Sequence, residues 1–247
     1  QQHPRDATEM LRLVLGNPSD IDATVSLNLV TADGSFTPTG FDAVDVPAGQ
    51  VISVDLDPQL QGEEGAVVVT STEPVVAGGA SALAPDKTGA SDIGFTAAVP
   101  ALSGPVVVAG GETGSDRHTK LLLSAPAADA ALTLTLLPSA EKSSPLVSPV
   151  TVPAGTTLTL DLGSLSTDAA PAVELVPDAG SGPVYAAWTL QETPSSTDLT
   201  SFPLRSPVTT LARPPATATL LAGLPGWPVA ASAPVQSPSS GSSQSSP

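Results

Sequence analysis

An all-β fold is the class this sequence predicts, and three observations predict it. First, 27 prolines and 21 glycines punctuate a chain of 247 residues, which breaks helices and suits short strands joined by turns. Second, apolar and polar residues alternate at period two, the spacing of a strand with one buried face. Third, a phrase recurs: VDVPAGQVISVDL at 44–56 returns as VTVPAGTTLTLDL at 150–162. Hydrophobic residues make up 40% of the chain but aromatic residues only 3%, so the core must be built from Ala, Val and Leu.

In chain order, strands are expected near 9–16, 23–31, 42–46, 50–56, 65–71, 74–82 and 94–99. Val25, Leu27 and Leu29 alternate with Ser26 and Asn28, and Ile52, Val54 and Leu56 alternate with Ser53 and Asp55. PAG is the turn between a short strand ending at Val46 and the long strand after it. Proline presets φ there and glycine accepts positive φ.

A second set is expected near 119–124, 130–137, 148–152, 156–162, 172–176, 183–191 and 202–210. In it Leu132, Leu134 and Leu136 alternate with Thr133 and Thr135, and Leu158, Leu160 and Leu162 with Thr159 and Asp161. The two sets align: LRLVLGNPSD at 11–20 with KLLLSAPAAD at 120–129, ATVSLNL at 23–29 with AALTLTL at 130–136, EPVVAGGA at 73–80 with GPVYAAWT at 182–189. Phe95 and Pro100 parallel Phe202 and Pro207. Each unit of roughly 100 residues is domain-sized, and antiparallel strands with one apolar face are buried by packing two sheets together.

The expected architecture is therefore two tandem immunoglobulin-like or fibronectin-like antiparallel β-sandwiches from an internal duplication. Its parts are an N-terminal segment 1–8, a first sandwich 9–108, a linker 109–118, a second sandwich 119–213, and a Pro/Ser-rich tail 214–247. The tail ends PVQSPSSGSSQSSP and holds too little apolar surface to offset chain entropy, so it is expected to be largely disordered. Trp227, in LLAGLPGWPV, is expected to dock on the second sandwich, the alternative being that the segment hangs free.

Charge excludes some partners. Eight Lys and Arg against 24 Asp and Glu give a net charge of −16, the wrong sign for nucleic acid phosphates and anionic lipid heads. With no cysteine and two histidines, a disulfide framework is absent and zinc or iron–sulfur ligation is not expected. Absent cysteine together with scarce lysine suits an exported protein of a high-GC bacterium. No apolar run approaches the length of a membrane span, and the chain opens at Gln1, so a signal peptide or membrane anchor is expected to lie outside it.

Candidate chemistry is sparse. Asp20 and Asp22, in NPSDID, have the oxygens for Ca²⁺, but the same residues read as a turn between the first two strands, and the second set has Ala127, Ala128 and Asp129 there. Glu63 and Glu64 are adjacent, point apart and are expected to face solvent. Asp116, Arg117 and His118 form an acid–base cluster that falls in the expected linker, the other histidine is His3, and no GxSxG elbow accompanies them. No catalytic, metal or cofactor site is expected. Tyr185 and Trp188, three apart, project to opposite faces of a strand, so one enters the core and the other is a candidate platform for a sugar or a partner. Val76 and Gly79 hold their places in the first set. Tyr185, Trp188 and Trp227 are thus the candidate interaction residues.

LRLVLGNPSDIDATVSLNLVTADG, VDVPAGQVISVDL and VVVTSTEPVVAGG resemble a family of actinobacterial extracytoplasmic proteins, classed as a domain of unknown function, over roughly residues 8–212. Members are typically tethered by an N-terminal membrane helix and often encoded beside large polytopic glycosyltransferases of the cell envelope. The resemblance implies a membrane partner of that kind and assigns no catalytic residue. The expected function is a non-enzymatic extracytoplasmic scaffold or accessory subunit of a cell-envelope assembly, secreted or tethered through a segment outside this chain. The alternative is a carbohydrate-binding or adhesive module with glycan as partner. An enzyme lacks parts here: two poorly placed histidines, no cysteine and no usefully spaced carboxylates.

Overall fold

Period two becomes burial along the first strands. In a computed structural model, which describes residues 10–60, 63–82, 93–108, 117–138, 144–165, 171–192 and 199–204, β1 (Met10–Gly16) turns Leu13 and Leu15 inward. β2 (Ala23–Thr31) turns Ala23, Val25, Leu27 and Leu29 to meet them. Each large apolar side chain buried this way contributes about 1.5–3 kcal/mol.

The first half continues with β3 (Gly34–Phe36), β4 (Val44–Val46), β5 (Val51–Asp55), the single turn α1 (Asp57–Leu60), β6 (Gly65–Ser71), β7 (Val76–Ala82) and β8 (Ile93–Ala97). One antiparallel sheet runs β5-β1-β7-β8; in the other, β2 pairs with β6 and, at its two ends, with β4 and β3. The second half holds β9 (Val106–Val108), β10 (Arg117–Ala125), β11 (Ala130–Leu137), β12 (Leu146–Val152), β13 (Thr156–Asp161), the turn α2 (Leu162–Leu165), β14 (Ala172–Pro177), β15 (Tyr185–Glu192) and β16 (Leu199–Leu204). Its sheets run β13-β10-β15-β16 and β12-β11-β14-β9. The described chain is therefore all-β and antiparallel. It has two apolar cores, one between each pair of sheets.

PAG is a turn in both places. Gly49 has φ 66° and Gly155 φ 74°, and Gln50 N–H donates to Pro47 O at 3.1 Å as Thr156 N–H does to Pro153 O at 3.2 Å. The strand after each turn is shorter than expected. It stops at Asp55 or Asp161, whose carboxylate then accepts the Asp57 or Gly163 amide, at 3.1 and 2.9 Å, and caps α1 or α2. Leu56 and Leu162 are buried from those turns rather than from the strands. Ile52, Leu158 and Leu160 are half-buried against the cores, because β5 and β13 are the outermost strands of their sheets.

Two boundaries differ from the reading of the sequence. Val106–Val108, counted with the first sandwich, pairs with β14, and Leu102 and Val106 pack in the second core. Leu102 N–H also donates to Val184 O at 2.8 Å. The reason is that β14 would otherwise be an open sheet edge, which an extended apolar stretch arriving from the first half can cover. Arg117 and His118, assigned to the linker, instead open β10, opposite Glu192 and Gln191. The rest of the linker and the tail from 214 lie outside the described residues.

The sheet pairs touch, and the contact includes buried polar groups. Thr157 Oγ1 donates to Val30 O at 2.7 Å and lies 2.7 Å from Ser124 Oγ, all buried. Lys120 pairs with Glu64, and β16 lies against β8. Gly155 sits where a Cβ would come 3.2 Å from Ser35 Oγ.

Candidate functional site

Strand register sorts the candidate residues. On β15, Trp188 lies opposite Leu121 and Tyr185 opposite Ser124. Leu121 is a core residue, so its row points inward and Trp188 is 9% exposed within the second core, while Tyr185 lies half-buried on the outer face. The Trp188 ring is therefore not a platform. Trp227, His3 and Asp116 lie outside the described residues, as do the side chains of Arg117 and His118.

The carboxylates hold the backbone. Asp22 Oδ1 accepts the Ala48 amide at 2.8 Å, and Asp129 Oδ1 the Ala154 amide at 2.7 Å, so each ties a PAG turn to the start of a strand. Asp20 is exposed. Between them and β1, Asn17 is buried, and its Nδ2 donates to Ile21 O at 2.7 Å and Val46 O at 2.9 Å. Its Oδ1 accepts from Ser19 N at 3.0 Å and Ser19 Oγ at 2.6 Å. NPSDID is thus a hydrogen-bonded turn with its organising group at Asn17, which the sequence reading passed over. Glu63 and Glu64 are both exposed, as expected, and Glu64 also pairs with Lys120. Among the described residues, no group of three or more His, Asp or Glu side chains gathers as a metal site, and no helix is long and apolar enough to cross a membrane.

What the register does assemble is an apolar surface on the outer face of β5-β1-β7-β8. Gly16 pairs with Val51 on one side and Val76 on the other, which places these three in one row. The next outward row is Ser53, Val14, Gly78 and Ala97, and the third is Asp55, Arg12, Ala80 and Phe95. Val51 is 69% exposed, Val76 68% and Phe95 72%, and Val14 is exposed as well. Gly16, Gly78 and Ala80 between them keep the surface flat. At Gly78 even a Cβ would come 3.2 Å from the Thr96 carbonyl. An exposed run of large apolar groups on a chain of net charge −16 is the kind of patch that marks a contact surface. The signal in the sequence was parity: Val14, Val76 and Phe95 occupy outward positions that a solvent-facing strand fills with polar residues.

The model of a family of unknown function, DUF5719, matches residues 4–219, which takes in both sheet pairs. The chain belongs to the DUF5719 family. No curated protein and no solved structure matches it. For this DUF5719 chain the outer face of β5-β1-β7-β8 is the surface with the clearest chemical character among the described residues.

Proposed function

We propose that this chain is a non-enzymatic scaffold or accessory subunit of a cell-envelope assembly, held outside the membrane, with a membrane protein such as a polytopic glycosyltransferase as partner. Its frame is a tandem duplication of an immunoglobulin-like or fibronectin-like sandwich. Supporting the duplication, β5-β1-β7-β8 and β13-β10-β15-β16 share one strand order, and β4-β2-β6 matches β12-β11-β14. Both halves also carry the Asp-held PAG turn and the Asp-capped helical turn.

The observation that carries the scaffold reading is the exposed apolar face around Val14, Val51, Val76 and Phe95. Protein interfaces draw their affinity from buried apolar and aromatic anchors with water excluded around them, and Phe95 on a flat sheet of small residues has that form. The test is affinity capture from solubilised envelope membranes with the wild type and Phe95→Lys, melting curves run alongside. A defined membrane protein retained by the wild type and lost from a variant of unchanged melting temperature supports the reading. Equal retention by both overturns the role of this face. Saturable binding of a cell-wall polysaccharide fragment that survives Phe95→Lys moves the function to the carbohydrate-binding alternative, which rests on Tyr185 now that Trp188 is in the core.

A further inference from the structure

The bare face of the first sheet pair has a counterpart in the second, and that counterpart is covered. Where the first pair has the row Val51, Gly16, Val76, the second has Thr157, Ser124, Tyr185. There Thr157 Oγ1 is buried against the Val30 carbonyl at 2.7 Å, and two rows along, at the place of Arg12, Lys120 pairs with Glu64. What covers this face is the strand end of the first pair: the end of β2, β3 and the approach to β6. Within the chain, then, the end of one sheet pair seats on the outer face of the next, where the Thr157–Val30 hydrogen bond and the Lys120–Glu64 pair join them.

The second pair has an end of its own. The register that sets Phe36 against Leu29 at the end of β2 sets Leu146 against Leu136 at the end of β11. Beside them lie Leu137 and Val147, with Leu146 46% and Val147 61% exposed. Among the described residues both ends carry large apolar groups, Val30 and Phe36 on the first and Leu137, Leu146 and Val147 on the second, and the bare face sets Val51 and Val76 where the covered one sets Thr157 and Tyr185. Repeating the chain's internal step from the second end requires a further outer face, and the bare face of a second copy supplies one.

We propose that copies of this chain associate head to tail, with Leu137, Leu146 and Val147 of one copy seated on Val14, Val51 and Val76 of the next. The inference rests on the reading of that face as a contact surface and names its occupant as the same fold. The contact is heterologous: each added copy leaves one face and one end free, so the assembly grows as an open string rather than closing as a symmetric dimer. A net charge of −16 on each copy opposes it, so added salt strengthens association by screening that repulsion.

Sedimentation velocity on the full chain, over rising protein and NaCl concentrations, tests this with two variants. Val76→Lys blocks the face and Val147→Lys blocks the end. Each lysine also reduces the net negative charge, so a loss of association cannot come from added repulsion. The wild type is expected to grow in mass with protein and with salt, and each variant alone to stay monomeric. An equimolar mixture should form a dimer and stop there, since one usable end and one usable face remain. Both sites are more than 60% exposed, and unchanged melting curves verify that the variants fold. Should Val76→Lys melt lower, Val51→Lys on the same face replaces it. A wild type that stays monomeric throughout, a mixture that stays monomeric, or a Val147→Lys variant that associates like the wild type overturns the proposal. If the wild type is monomeric and Phe95→Lys still abolishes membrane capture, self-association fails while the contact-surface reading stands.

Discussion

Thr157 donates its hydroxyl proton to the carbonyl of Val30, 127 residues earlier in the chain, and this buried bond of 2.7 Å joins the two sheet pairs. A carbonyl has no proton to give, so the single proton of Thr157 is committed there. Ser124 Oγ, 2.7 Å away, must then be the donor to Thr157.

Replacing Thr157 by Val keeps the side-chain volume but leaves the Val30 carbonyl and the Ser124 hydroxyl buried without this partner. The expected loss is about 1–3 kcal/mol, the cost of stranding buried polar groups. Denaturant unfolding should show a lower midpoint for Thr157→Val and recovery in Thr157→Ser. An unchanged midpoint would mean that water reaches the junction and replaces the bond.

The two PAG glycines should not be equally sensitive. Gly49 and Gly155 both have positive φ, where a Cβ costs about 1–2 kcal/mol in an L-residue. Space around Gly49 is open, whereas a Cβ at Gly155 would meet Ser35 Oγ at 3.2 Å. Thermal melts should therefore rank Gly155→Ala below Gly49→Ala, and adding Ser35→Ala should remove the difference. Equal melting temperatures would show that Ser35 yields without cost.

Asp22 and Asp129 act as backbone acceptors at the turns. Asp22→Ala and Asp129→Ala should each lower stability by about 1 kcal/mol, and because the residues belong to separate sheet pairs the double variant should show the sum. EDTA and Ca²⁺ should leave the wild-type melting temperature where it is. A drop of several degrees in EDTA that Ca²⁺ restores would return Asp20 and Asp22 to the metal reading.

Trp188 and Tyr185 should separate in the same way. Trp188→Ala removes a large ring from the second core and should cost about 3–5 kcal/mol. Tyr185→Ala, on the half-buried outer face, should cost well under that. A glycan array run on both variants decides the platform question: binding lost in Tyr185→Ala at unchanged melting temperature would revive it.

Much of the frame was legible because it is local. Period-two alternation is a property of a few consecutive residues, and it placed Val25, Leu27, Leu29, Leu132, Leu134 and Leu136 in the cores. The PAG turn was equally legible, since the demand for positive φ is met within the turn itself at Gly49 and Gly155. Opposite parity likewise separated Tyr185 from Trp188.

Which of those two rings enters the core was decided by strand register, which sets Trp188 against Leu121 across residues far apart in sequence. The transfer of Val106–Val108 to the second sheet pair depended on an open edge at β14, a property of the assembled sheet. Period two states that alternate residues point to opposite faces and is silent on what lies outside either face. Packing of the first sheet pair against Thr157 and Ser124 covers one outer face and leaves its counterpart, around Val51 and Val76, bare. Direction within a strand is set by neighbouring residues, whereas contact across a surface is set by whichever distant element folds onto it.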